Sequence, residues 1–471
     1  MYTALKVCLL LILAVLLVDC NDSIPGSLCP QHIGPPCPRY YKNPYADYQP
    51  GDSVAELLDS IRSNMTDKLD EYLDILISNA PPHIVGNVPD DVFTGAAGRA
   101  LLMLKLYLRS GSSFTSPSSS RNSTLLELAG AYAETALDNM TPEDKGISGF
   151  LKGSPGMWTV AAVTYAMMGN TSQSEYYIQL VNERLESYQT ITESTYDTGL
   201  AGLMMCVRFL WEHIPSSRDI LSEAQLHAVA VEVMERGILE GEKKRLPTGV
   251  LIWPNEVFPD IVFYATGHGQ SGILWQYLHI PSVAQNETMM QHVWKTMDWL
   301  GTLQLPSGNF PTPRIPPYPL ESDVLVQWCH GSPGFIALFG RASIVASSSS
   351  DEVIKAKAAA YEAIARKAAD NVWTVGLLTK GLMLGHGISG NSYMQIYLGK
   401  ILKDDRYLYR AVQHQRFVLN TPIVSDPAIM RVPTPNPYMP FTGSYAGAIA
   451  VWQDMLFDIQ GASMFGFETA L

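Results

Sequence analysis

The chain has 471 residues, 47% of them apolar and 16% charged, with a formal charge of -13. That is enough apolar material for a sizeable core, and the length admits two or three average domains or one large architecture. An acidic balance excludes nucleic acid and anionic lipid as main partners, because both call for clustered Lys and Arg.

Residues 1–20 read as a secretory signal peptide: Lys6 is the basic start, Val7 to Val18 is an apolar run of 12 residues, and Val18-Asp19-Cys20 is a cleavage signature. A membrane helix needs about 20 apolar residues. The expectation is therefore a protein that is secreted or held in the secretory-pathway lumen, with a signal-anchored membrane form as the alternative. Sequons at Asn21, Asn64, Asn122, Asn170 and Asn286, and a weaker one at Asn139 ahead of Pro142, fit a secreted glycoprotein. Residues 21–44 are rich in Pro, Ser, Gly and Cys and read as a linker. Within it, Cys29 and Cys37 either close a small disulfide loop or stay as two free thiols.

Residues 45–471 read as one domain with helical periodicity almost throughout. From Ser53 to Leu76 the apolar positions Val54, Leu57, Leu58, Ile61, Met65, Leu69, Leu73 and Leu76 fall on one face. The same signature recurs at Ala100 to Tyr107, Leu125 to Leu137, Met157 to Met168, Tyr176 to Tyr188 and Val353 to Val372. Loops are marked by Ser/Thr-rich 109–123 and by Ser347–Ser350, after which Asp351 and Glu352 open a helix. No run alternates long enough for a strand, so the chain is expected to be all-α.

A repeat lies on top of this pattern. Gly-x-x-Gly frames begin at Gly95, Gly153, Gly199, Gly269, Gly331 and Gly387, and a seventh, Ser444-Tyr445-Ala446-Gly447, has serine first. The intervals run from 46 to 70 residues, room for two helices and their loops. Seven hairpins opening their glycine-headed helices at one end predict a closed α/α toroid with those helices inside. An open solenoid is the structural rival, but it would not require glycine at every inner start.

If the ring closes, the residues just before each frame converge. They are Thr94, Lys152, Thr198, His268, His330, His386 and Gly443, with Asp197, Cys329 and Gly385 one position earlier. A lone histidine there would read as a polar cap. Three histidines and a cysteine at matching positions read as a shared site.

These motifs carry a resemblance. Trp-Cys-His-Gly-Ser-Pro-Gly at 328–334, Gly-His-Gly-Gln-Ser-Gly at 267–272, Pro-Ser-Gly-Asn-Phe-Pro at 306–311, Gly-His-Gly-Ile-Ser-Gly-Asn-Ser-Tyr at 385–393 and Tyr-Leu-Tyr-Arg-Ala at 407–411 resemble the eukaryotic LanC-like proteins, relatives of the bacterial lanthionine cyclases. The resemblance spans about residues 50–460 and implies a double α/α toroid of seven hairpins. It also implies addition of a thiol, from a peptide cysteine or glutathione, to a dehydrated serine or threonine, giving a thioether. Zinc would hold the thiol as thiolate and an acid/base group would protonate the enolate.

Residue by residue, the resemblance makes Cys329 and His386 zinc ligands, and Gly385 stands where the family has a second zinc cysteine. A catalytic zinc normally keeps three protein ligands. Asp197, His330 or water is then left as the third group, while Cys206 reads as core. His268 matches the catalytic histidine, Asp197 its acidic partner with Glu193 in reserve, and Lys380 a basic position that would meet glutathione. Two readings follow: a divergent thioether-forming enzyme, or a secreted non-catalytic binding protein for peptide or glutathione-like ligands. A carbohydrate-processing toroid ranks last, because its cavity needs paired carboxylates and the frames offer only Asp197.

Overall fold

The computed structural model describes residues 39–82, 90–110, 124–255, 261–312, 323–421 and 438–471. The signal stretch and Cys29 and Cys37 lie outside them. In chain order the helices are α1 (Val54–Asn79), α2 (Ala96–Ser110), α3 (Leu125–Asp138), α4 (Pro142–Gly146), α5 (Ser154–Met167), α6 (Thr171–Glu186), α7 (Leu200–His213) and α8 (Glu223–Lys243). They continue as α9 (Gln270–Tyr277), α10 (Pro281–Ala284), α11 (Glu287–Gly301), α12 (Ser332–Ser347), α13 (Glu352–Val375), α14 (Ile388–Leu402), α15 (Asp405–Asn420) and α16 (Ser444–Phe457). Extended pairing among the described residues is confined to isolated bridges. No described helix is long and apolar enough to cross a membrane.

Burial sorts the helices into two layers. α9 is buried on every face, and so are Ile388 to Gly399 of α14 and Ser444 to Met455 of α16. A helix apolar all round belongs inside. By contrast α1 and α13 bury one stripe and turn the other to water. The inner helices pack in the cyclic order α2, α5, α7, α9, α12, α14, α16 and back to α2, while α1 covers α16. The ring is closed, an all-α α/α toroid.

Glycine is required where each inner helix starts. Gly331 has φ +95, and a Cβ there would stand 1.9 Å from the Leu325 carbonyl oxygen. Three residues on, the helix crosses its own entering loop so closely that a Cβ on Gly390 would lie 1.8 Å from Leu384 O. Only hydrogen fits. The seventh repeat departs from the expected register by one residue. Gly443 N–H bonds to Met439 O at 2.9 Å, as Gly95 does to Asp91 O at 2.9 Å and Gly199 to Thr195 O at 3.0 Å. Gly443, not Ser444, is therefore the cap, and Gly447 instead makes room for the neighbouring loop at Leu382 O.

One or two residues before the caps, the entering loops hydrogen-bond to one another around the axis. Phe93 N donates to Leu151 O (2.9 Å), Lys152 N to Asp197 O (2.9 Å), Asp197 N to Gly267 O (3.1 Å), Cys329 N to Gly385 O (3.2 Å), Gly385 N to Phe441 O (2.9 Å) and Phe441 N to Phe93 O (3.0 Å). Gly267 backs onto Cys329, whose Sγ would lie 3.4 Å from a Cβ placed there. This backbone girdle fixes seven loops at one end of the toroid.

The interior below the girdle is filled by residues 462–467. Phe467 stacks on Trp275 at 4.5 Å and meets the Trp328 ring edge-on at 5.4 Å, while the Tyr196 hydroxyl donates to Gly466 O at 2.7 Å. Lower down, Asp454 of α16 accepts from Lys105 Nζ at 2.8 Å, Tyr393 OH at 2.8 Å and Ser463 N at 3.1 Å, all buried. At the rim, residues 39–41 run against the loop before α14, with Tyr41 N donating to Leu377 O and Thr379 N to Arg39 O. The described end of the linker thus lies on the toroid.

Candidate functional site

The girdle brings the expected residues together. Cys329 follows Trp328, a fully buried ring held by Tyr196, Phe441 and Phe467. The turn around it is braced by two of the motif asparagines. Asn309 Oδ1 accepts from Ser332 N at 2.7 Å and its Nδ2 donates to Leu325 O at 3.1 Å; Asn391 Nδ2 donates to Val326 O and Gly376 O, each at 3.0 Å. Arg410 of the Tyr-Leu-Tyr-Arg-Ala motif is remote from the centre. It ties α15 to Asp47 and Asp370 at 2.6 and 2.7 Å.

Asp197 and His268 form the best-defined contact among the expected residues. Asp197 Oδ2 lies 2.8 Å from His268 Nδ1, and the two side chains are buried. The carboxylate accepts the Nδ1 proton, which leaves the lone pair of the neutral ring on Nε2. Burial pushes the Asp197 carboxyl up, but His268, Lys152 and the Thr195 hydroxyl outweigh it and hold the group below its ordinary value. Asp197 is not a helix cap, since Gly199 holds that position. Glu193, the reserve, accepts from the N–H groups of Ser194 and Thr195 and so shapes the loop that carries Asp197.

The other two histidines stand beside this pair. His330 lies 5.8 Å from His268, ring to ring, and 5.9 Å from Phe263. His386 meets Phe93 edge-on at 6.2 Å. The Nε2 atoms of both are buried without a hydrogen-bond partner. Burial, aided by His268 and Lys380, drives His330 down to about 3, and burial with the surrounding cations carries His386 well below its usual value. Both are neutral imidazoles at physiological pH. Lys380 is buried and donates to Gln327 Oε1 at 3.2 Å, one turn from Cys329.

The donor set does not fit zinc. Burial and the nearby Asp197 charge push the Cys329 thiol up, against Lys152 and Lys380. No group of three or more His, Cys, Asp or Glu among the described residues could hold a metal. Asp197 is committed to His268. Gly385 is the gap: a Cβ there would lie 3.5 Å from Cys329 Sγ, in ordinary contact, where a cysteine would complete the set. Cys206 is core, with its thiol pushed up to about 12 by burial.

One residue of the centre, Phe93, is missed by reasoning from the frames, and Lys152, which the frames name, is given no role by them. Lys152 Nζ sits 5.0 Å over the Phe93 ring, which also stacks on Phe441 at 5.6 Å. The signal for Phe93 is present two residues before Gly95, the position that Asp197, Cys329 and Gly385 occupy in their repeats.

A closed ring of glycine-capped inner helices, with an acid–histidine pair and a cysteine at its rim, defines an α/α toroid. The model of the lanthionine synthetase C-like protein family matches residues 86–426, and the chain belongs to that family. It is similar to glutathione S-transferase LANCL1 of Danio rerio, at 26% identity over 402 residues, covering 81% of this chain and 89% of the relative. Among solved structures it is similar in fold to nisin cyclase, with a TM-score of 0.50 at 13% identity, covering 84% of this chain and 99% of that one.

Proposed function

We propose that this chain adds a thiol to the double bond of a dehydrated serine or threonine, forming a thioether, with proton transfer through Asp197 and His268 and without a bound zinc. The buried 2.8 Å contact between those two residues carries the proposal. His268 Nε2 takes the thiol proton, and the sulfur forms a bond to the β-carbon as the C=C π bond breaks toward the α-carbon. The imidazolium then returns the proton to the α-carbon, while Asp197 stabilises it. Atoms and charge balance with no further reactant. Glutathione is our choice of donor, supported by the name of the Danio rerio relative and by Lys380, whose ammonium suits a carboxylate.

The deciding assay mixes purified protein, glutathione and a dehydroalanine peptide in the presence of a zinc chelator, and follows adduct mass. Formation of adduct that is lost in His268→Asn supports the reading. Absence of turnover in the wild type sinks it. Gly385 favours a second reading, a binding protein without turnover; peptide or glutathione binding with no adduct is its signature. We also place the protein in the secretory pathway, supported by residues 1–20 and by exposed Asn64 and Asn170. A mobility shift on endoglycosidase treatment of protein from secreting cells tests this.

A further inference from the structure

Resting on the thiol-addition reading, we propose that Lys152 is a substrate-binding residue whose ammonium pairs with the attacking thiolate and supplies the positive charge that the centre lacks for want of a third metal donor.

The placement of Lys152 carries this. It precedes Gly153 as His268, His330 and His386 precede their caps, so it occupies the histidines' position in the ring. Its backbone is locked into the girdle at Asp197 O, which fixes its Cα next to the acid–histidine pair. The side chain then reaches over Phe93, whose ring edge meets His386 from another side. Phe93 is thus a floor shared by Lys152 and His386. A cation on an aromatic face keeps its outer hemisphere for an anion.

The charges nearby are already engaged, and Lys152 is not. Asp197 accepts from His268 at 2.8 Å. Asp91, the other carboxylate that Lys152 influences, accepts from Thr94 N at 2.6 Å and Thr94 Oγ1 at 2.8 Å. Among the described residues Lys152 itself makes neither an ion pair nor a hydrogen bond through Nζ. A half-buried ammonium that makes no hydrogen bond, set on the ring that also meets His386 with its unpartnered Nε2, forms a site for an anion. Sulfur becomes that anion when His268 removes its proton, and a cation beside a thiol is what lowers the thiol's pKa.

The test reads thiolate rather than product. Glutathione bound to the chain is titrated by its absorbance near 240 nm against protein alone, in wild type, Lys152→Gln and Lys152→Arg, with melting curves to check that each variant folds. The expected result is that bound glutathione ionises about 10-fold more readily than free glutathione, that Lys152→Gln removes most of this gain, and that Lys152→Arg keeps it. Binding with thiolate formation unchanged in Lys152→Gln overturns the role of Lys152 and leaves the thiol-addition reading standing. No binding and no adduct in the wild type overturns both.

Discussion

His268→Asn keeps a hydrogen-bond donor toward Asp197 but removes the base, and the rate of thiol addition is expected to fall by about 10²–10⁴-fold, the usual contribution of a positioned general base. Adduct mass spectrometry measures it. At Gly385 the effect runs the other way. Gly385→Cys puts a second thiol against Cys329 without steric conflict and completes a Cys, Cys, His set, so elemental analysis is expected to give about one zinc per chain in the variant and well under one in the wild type. No gain would mean that Cys329 and His386 are not poised for a metal. Asp90, in the loop that carries Phe93, offers a pH test that does not read thiol addition. Its carboxyl is buried with Oδ1 unpartnered, and burial together with Asp144 and Asp91 raises its pKa to about 7. A raised acid disfavours its ionised form in the fold, so its penalty is absent below about pH 4 and grows as pH climbs to about 7. Asp90→Asn should therefore raise the melting temperature at pH 8 and change it little at pH 4. Equal shifts at both would refute the assignment.

At the scale of elements, the inner helices stand on glycines that admit no side chain. Gly390→Ala forces a methyl into Leu384 O, and the loop carrying Gly385 and His386 must move. A loss of about 1–3 kcal/mol is expected by urea denaturation, the range typical of overpacking; an unchanged midpoint would mean the loop yields freely. These glycines also explain what could be read from the chain alone. Frame and helix coincide at the six Gly-x-x-Gly sites because close approach demands the same residue each time. The seventh slips by one residue because Gly447 answers a neighbouring loop rather than its own. Asp197 and His268 were legible as a pair through the family resemblance, each lying just before a glycine frame. Lys152 was legible as a member of the ring but its seat on Phe93 was not, because that aromatic ring comes from the loop opposite. The roles of Asn309 and Asn391 were equally hidden, since what they brace is a carbonyl, which leaves no mark in the sequence.

Across the whole molecule, the site is held from below as well as around. Phe467 fills the space between Trp275 and Trp328, and Trp328 is covalently next to Cys329. Phe467→Ala is expected to cost about 3–5 kcal/mol through the cavity it leaves, and to slow thiol addition by loosening the Cys329 turn. Denaturation and rate measured together would separate the two effects. A stability loss with no change in rate would show that the plug supports the fold and not the centre.

The girdle bears on how much the architecture reveals about its contents. Its links are amide to carbonyl, so Leu, Asp, Gly, Cys and Phe all serve at the same station without altering the circle. Glycine at 385 is consequently a silent edit to the scaffold: it erases a sulfur and leaves the bond from Cys329 N and the bond to Phe441 O in place. Shape and reactivity are written in separate alphabets here, one of backbone and one of side chains, and a likeness of outline between two such rings leaves the chemistry at their hubs to be read one station at a time.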